Sequence, residues 1–236
     1  MKRDNWVGFL PFYLLVVILT IGISYGGAKT LTVLKENAGV SREHTVIIDA
    51  GHGGIDGGAT SCTGVLESAV NLEIALRLDD LMHFLGYKTV MIRTTDRSVY
   101  TSGTTIAAQK VSDLRERVRI VNEAPGGVLI SIHQNTFSDS RYGGAQVFYS
   151  ENENSKLLAT ALQKKWVSVL NPDSRRTAKK GEGIYLLQHI SQTGVLVECG
   201  FLSNPKEEAM LRSADYQKKM CCVIAATVSG FLTERD

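Results

Sequence analysis

Four side chains with the chemistry of a hydrolytic metal site are spread along the chain: His52, Glu67, His133 and Glu198. Two imidazoles and one carboxylate suit zinc, which they bind at about 2.0 to 2.2 Å while leaving a fourth position open to water. Such a site is catalytic rather than structural, because zinc brings the pKa of water down to about 7 and polarises a carbonyl. Glu198, surplus to the donor set, is then free to take the water's proton and return it to a leaving amine. The chemistry implied is hydrolysis of an amide.

Taken one at a time, three of the four have ordinary explanations. His52, in Gly51-His52-Gly53-Gly54, reads equally as a turn residue, and His133, in Ser131-Ile132-His133-Gln134-Asn135, as a satisfied core histidine. Glu67 reads as a first-turn acid favoured by the helix dipole. Glu198 is harder to explain, because a carboxylate inside the apolar run Val195-Leu196-Val197-Glu198 is costly unless paired, protonated or beside a metal. The four together favour a site.

A site assembled from such distant positions needs elements that bring them to one rim. Thr45 to Ala50 is a β-branched, apolar run that stops at a glycine-rich loop carrying His52, the pattern of a buried strand followed by a loop. Further strands are expected at Lys88 to Thr94, Val128 to Ile132, Ala145 to Ser150 and Gly194 to Cys199, all too apolar for the edges of a half-wet sheet. Val70, Ile74, Leu78, Leu81 and Leu85 recur at helical spacing, so a helix runs from about Val65 to Leu85 and ends at Gly86. Other helices are expected around Leu114 to Val121, over Leu157 to Leu170 and over Pro205 to Phe231. Alternating strands and helices predict an α/β fold: one domain with a mainly parallel central sheet and helices on both faces. In such sheets ligands gather at the carboxyl ends of the strands. His52 and His133 are expected just past two strand ends, Glu198 near a third, and Glu67 at the start of the first helix.

The chain has 236 residues, 44% of them hydrophobic, with a formal charge of +2. This suits one ample domain plus a short extra segment, and the weak, dispersed charge argues against nucleic acid. Lys2 and Arg3 precede a run from Asn5 to Ala28 without a charged residue, long enough to cross roughly 30 Å of hydrocarbon. Residues 1–28 therefore read as a membrane-entry helix, either a cleaved signal peptide or a retained anchor; 29–43 as a polar linker; and 44–236 as the catalytic domain, delivered outside the cytoplasm. Cys62, Cys199, Cys221 and Cys222 read as small buried thiols, with Cys62 a weaker candidate for a soft zinc ligand.

The motifs Asp49-Ala50-Gly51-His52-Gly53-Gly54, Glu67 at a helix start, Ser131-Ile132-His133-Gln134-Asn135 and Val197-Glu198-Cys199-Gly200-Phe201-Leu202-Ser203-Asn204-Pro205 occur in this order. Together they resemble the zinc-dependent N-acetylmuramoyl-L-alanine amidases (the Amidase_3 family) over about residues 45–232. The resemblance implies one zinc ion held by His52, Glu67 and His133, with Glu198 as the acid/base. It implies as substrate the amide between the lactyl group of muramic acid and the first L-alanine of peptidoglycan's stem peptide. Gly144-Ala145-Gln146-Val147-Phe148-Tyr149 and Tyr185-Leu186-Leu187, with no wall-binding repeats, are most similar to the sporulation and germination branch, which processes spore cortex so that muramic-δ-lactam is made. The bare catalytic domain also implies an accessory or activating protein.

Some residues keep two readings. Asn135 is a candidate orienting group for the site and His189 a candidate substrate contact, or only surface. The basic loop from Arg175 to Lys180 meets stem-peptide carboxylates or is simply solvated, while the long polar segment 97–110 reads as a lid or a partner contact. Two other functions use the same features: a zinc endopeptidase cutting within the stem peptide, and a non-catalytic binding or activator module. The second is expected to have lost a ligand or Glu198, and none is lost.

Overall fold

The computed structural model describes residues 44–124 and 126–234. The expected membrane-entry segment 1–28 and linker 29–43 lie outside them. In chain order the elements are β1 (Thr45–Ala50), α1 (Glu67–Phe84), β2 (Lys88–Met91), α2 (Ile106–Asn122), β3 (Val128–Asn135), β4 (Gln146–Tyr149), α3 (Glu153–Leu170), β5 (Lys179–Lys180), α4 (Tyr185–His189), β6 (Thr193–Phe201), α5 (Pro205–Leu211) and α6 (Ala214–Thr233). They form a six-stranded sheet ordered β2-β1-β3-β6-β4-β5. The first four strands in that order are parallel, and β4 and β5 run against them.

The two-residue period of a strand divides the sheet into unequal faces. Val46, Ile48 and Ala50 of β1, Val128, Ile130 and Ile132 of β3, and Val195 and Val197 of β6 join one large core with α1, α3 and α6. Ile47 and Leu129 meet Val121 of α2 and Leu186 of α4 in a smaller core on the other face. Along that thinner side the alternation continues towards the carboxyl ends as Asp49, then Ser131 and His133, then Glu198. The apolar packing stops there and the chemistry begins.

Several expectations change. β2 is an edge strand with an exposed and half-buried pattern; Met91 packs partly on the large core and Val90 partly on the small one. α2 begins at Ile106, capped by the Thr105 side chain, which accepts from Ala108 N at 3.2 Å. The segment 97–110 is consequently no free lid. Its end is helix, and the rest is a pinned strap: Ser98 Oγ donates to Gly53 O at 2.6 Å, Val99 N to Asp113 Oδ1 at 2.6 Å, and Thr101 N to Ser112 Oγ at 3.1 Å. The last helix is two, because the chain is extended at Ser213. Gln217 Nε2 satisfies the Leu211 carbonyl left open at the break, at 2.7 Å. Within the basic loop, Lys179–Lys180 form the short β5, and Arg176 lies over the Phe201 ring at 5.5 Å. Cys199 and Cys221 are buried, as expected of small thiols, but Cys62 and Cys222 are exposed.

Candidate metal centre

The loop after β1 carries His52 in an unusual conformation, and the surroundings hold it there. His52 has φ +60°, alone among the described non-glycine residues in the left-handed region, where a side chain is strained. Two arginines almost wholly removed from solvent clamp the carbonyls leading into it. Arg93 Nε donates to Ala50 O at 2.7 Å and its Nη2 to Gly51 O at 2.9 Å. Arg117 Nη1 donates to Ala50 O at 3.1 Å and its Nη2 to His52 O at 2.7 Å. Arg117 is paired with Asp49 and Asp113, and Ser131 Oγ donates to Asp49 Oδ2 at 2.6 Å. Burial pushes the Asp49 carboxyl up, but Arg117 and the other groups around it more than offset that and hold it below the usual carboxylate range.

Glu67 opens α1 and is buried between both imidazoles. Its Oε1 lies 3.0 Å from His133 Nδ1 and accepts from Gln134 N at 3.1 Å and Asn71 Nδ2 at 3.3 Å. Its Oε2 lies 3.3 Å from His52 Nε2 and accepts from Ala59 N at 2.9 Å. Burial pushes Glu67 up, but the flanking His133 and His52 outweigh this and hold it far below its ordinary value. The imidazoles stand edge to face, with ring centroids 5.0 Å apart. One ligand atom from each of His52, Glu67 and His133 lies within 4.8 Å of the others, the spacing of a three-donor metal site.

Glu198 faces the same rim. It is the register partner of His133 across β3 and β6, and its Oε2 is buried without a hydrogen-bond partner among the described residues. Burial pushes its carboxyl up to about 7, with Glu67 adding and the imidazoles opposing. A cleft of roughly 290 Å³ opens over His52 and His133, walled by Asp56 and by Lys110 and Leu114 of α2, with Tyr185 of α4 opposite.

All four candidate residues from the sequence therefore meet, with one correction: His133 lies inside β3, which continues to Asn135, rather than beyond its end. The strand can carry this polar stretch because its neighbour β6 also continues, to Phe201. Two further candidates stay apart from the cluster. The Asn135 side chain accepts from Thr136 N at 2.8 Å, and exposed His189 stacks on Tyr185 at 3.9 Å and bonds its carbonyl. Cys62 is absent from the donor cluster. Sequence reasoning missed Asp56, Asn71, Gln134, Arg93 and Arg117 as supports. Asn71, one helical turn after Glu67, carried the only periodic signal.

Residues 46–229 match the family described as N-acetylmuramoyl-L-alanine amidase. The chain is 36% identical over 240 residues to the germination-specific N-acetylmuramoyl-L-alanine amidase of Bacillus subtilis (strain 168), an alignment covering 99% of this chain and 97% of that protein. It is 32% identical to the N-acetylmuramoyl-L-alanine amidase LytC of the same organism, over 74% of this chain and 33% of LytC. Among solved structures, the CwlD amidase from Clostridioides difficile, in complex with the GerS lipoprotein, is 35% identical with a TM-score of 0.77, covering 80% of this chain and 98% of that one. An N-acetylmuramoyl-L-alanine amidase from Clostridium difficile 630 is 29% identical with a TM-score of 0.72, covering 83% and 100%. The chain belongs to the N-acetylmuramoyl-L-alanine amidase family.

Proposed function

We propose that His52, Glu67 and His133 hold one zinc ion and that Glu198 is the acid/base that hydrolyses the amide between the lactyl group of N-acetylmuramic acid and L-alanine in peptidoglycan. The observation that carries this reading is the donor cluster itself, two imidazoles and a carboxylate within 4.8 Å, together with a buried Glu198 oxygen that has no hydrogen-bond partner among the described residues. The donors fit zinc by type, and a site with three protein ligands leaves room for water. Zinc held there acidifies a water and polarises the scissile carbonyl. Ionised Glu198 takes the proton as the water oxygen bonds the carbonyl carbon. Protonated Glu198 then gives that proton to the nitrogen as the carbon–nitrogen bond breaks. Burial raises the pKa of the Glu198 carboxyl in the metal-free protein, the direction required of a group that must hold the proton between the two steps. The Arg93 and Arg117 clamps fix the His52 backbone, and the cleft between α2 and α4 receives the muramoyl group and the first peptide residues.

In the cell the reading extends to spore-cortex processing that leads to muramic-δ-lactam, supported by the likeness to a germination-specific relative along nearly all of its length. Residues 1–28 deliver the domain 44–236 across the membrane, as a cleaved signal or a retained anchor, with 29–43 as linker. An accessory protein assists, as the lipoprotein-bound CwlD structure suggests by likeness. The test is mass analysis of peptidoglycan digested by the purified protein with and without zinc. Zinc-dependent release of peptides with free L-alanine amino termini is expected. New termini within the stem peptide would instead assign an endopeptidase, and no cleavage under either condition would sink the reading.

A further inference from the structure

We propose that Asp56 and Lys110 are positioning residues that hold the His52 imidazole in its metal-binding orientation and so set the affinity of the site for zinc. This rests on the zinc reading above and extends it to residues outside the donor set.

His52 needs an external stop. Its backbone is in the left-handed region and is followed by Gly53, itself at positive φ, so the local chain does little to fix the ring. The turn after it doubles back: Gly53 N donates to Asp56 O at 2.7 Å and Asp56 N to Gly53 O at 3.2 Å. That return brings the Asp56 carboxylate onto the ring, where Oδ2 lies 2.9 Å from His52 Nδ1. A carboxylate can only accept there, so Nδ1 keeps its proton and Nε2 is the nitrogen left to bind a metal once its own proton is expelled. Nε2 is the nitrogen that faces Glu67, at 3.3 Å.

The other carboxylate oxygen is also engaged. Asp56 Oδ1 lies 2.8 Å from Lys110 Nζ. Lys110 belongs to α2, two turns before Arg117, and residues seven apart share a helix face. That face grips His52 at both ends, at the carbonyl through Arg117 Nη2 at 2.7 Å and at the ring through Lys110 and Asp56. α2 thus acts as a backstop to the ligand loop, and the first helical turns, in the segment 97–110, supply its outer contact.

The pair is half-exposed, with Lys110 at 48% and Asp56 at 28%, so it contributes little to folding and can be removed without unfolding the chain. The experiment measures zinc dissociation constants of the full chain by chelator competition, with visible spectra of the cobalt-substituted protein. Asp56→Ala is expected to weaken zinc binding about 10- to 100-fold and to alter the cobalt spectrum. Lys110→Met should weaken binding less, and Lys110→Arg should restore it. Zinc-free melting should be unchanged in both Lys110 variants, while Asp56→Ala loses only the part of the zinc-free stability that its contact with the protonated His52 ring contributes. If Asp56→Ala does not fold, the Lys110 pair of variants decides. Wild-type affinity and an unchanged cobalt spectrum in Lys110→Met and in any folded Asp56→Ala overturn the positioning role. A wild-type chain that takes up no zinc overturns the metal reading and this inference with it.

Discussion

Glu198 stands opposite His133 in the parallel register of β3 and β6, so the sheet's backbone pairing, not a loop, sets the proposed base beside a proposed ligand. Neighbouring strands lie about 4.8 Å apart, which places the two side chains on one face at a distance that loop motion alters little.

Glu198→Gln keeps the shape and removes the proton acceptor. Turnover should fall about 10² to 10⁴-fold while bound zinc stays stoichiometric, read by steady-state rates and metal analysis. The same variant has a stability signature. In the zinc-free wild type the folded carboxyl binds its proton more tightly than the unfolded one, at about 7 against 4.5. Its favourable contribution is present below 4.5 and lost as pH rises through 7. Melting of the zinc-free variant should lack that part of the pH dependence; identical curves would contradict the buried, unpartnered state.

Arg117→Met should cost about 3 to 5 kcal/mol of unfolding free energy, because it leaves Asp49 charged and buried without its partner. Asp49 is 1% exposed and Arg117 3%. Adding Asp49→Asn should recover part of the loss, since the uncompensated charge goes with it. Denaturant unfolding of the single and double variants measures the difference, and a single variant within 1 kcal/mol of wild type, about the median worth of a surface pair, would mean that water reaches the pair.

How far the sequence could be read follows from how local each signal is. β1 was legible because a β-branched run stops at Gly51, and α1 because its apolar stripe ends at Gly86, which has φ +83°. The four candidate residues were legible only as a set, since three have ordinary explanations singly and Glu198 alone is costly in its surroundings. The edge position of β2 was not, since strand order depends on pairings that leave no trace in four residues. The break at Ser213 was hidden because Gln217 mends it from one turn later. Asp56 and Lys110 were invisible as supports: each looks like an ordinary surface charge until the fold sets α2 against the ligand loop. Arg117 was legible as a candidate for an ion pair, but its partners were not.

Zinc uptake should tighten with pH. Burial opposes protonation of His52, but Glu67 and Asp56 raise its pKa from 6.5 to about 9. The zinc-free protein draws stability from that proton in full below 6.5, and loses it as pH rises through 9. Metal binding must expel the same proton. Between these limits apparent affinity should climb by at most about tenfold per pH unit for the one proton released, while zinc-free melting temperature declines. Competition titrations across this window test it, and a flat or falling affinity would show that His52 is not protonated in the zinc-free state.

Gly51 and Gly64, both before α1, offer opposite outcomes. A Cβ on Gly51 would lie 2.1 Å from His133 Nε2, a distance at which the ring must leave its place, since the backbone clamped by Arg93 cannot retreat. Gly51→Ala should abolish zinc retention and activity. Gly64 has open space around its Cβ position but φ +88°, so alanine there costs only backbone strain, about 1 to 2 kcal/mol. Gly64→Ala should lower the melting temperature slightly and keep wild-type zinc content. Metal analysis after gel filtration separates them, and a Gly51→Ala protein that retains zinc would mean that His133 is not held against the loop.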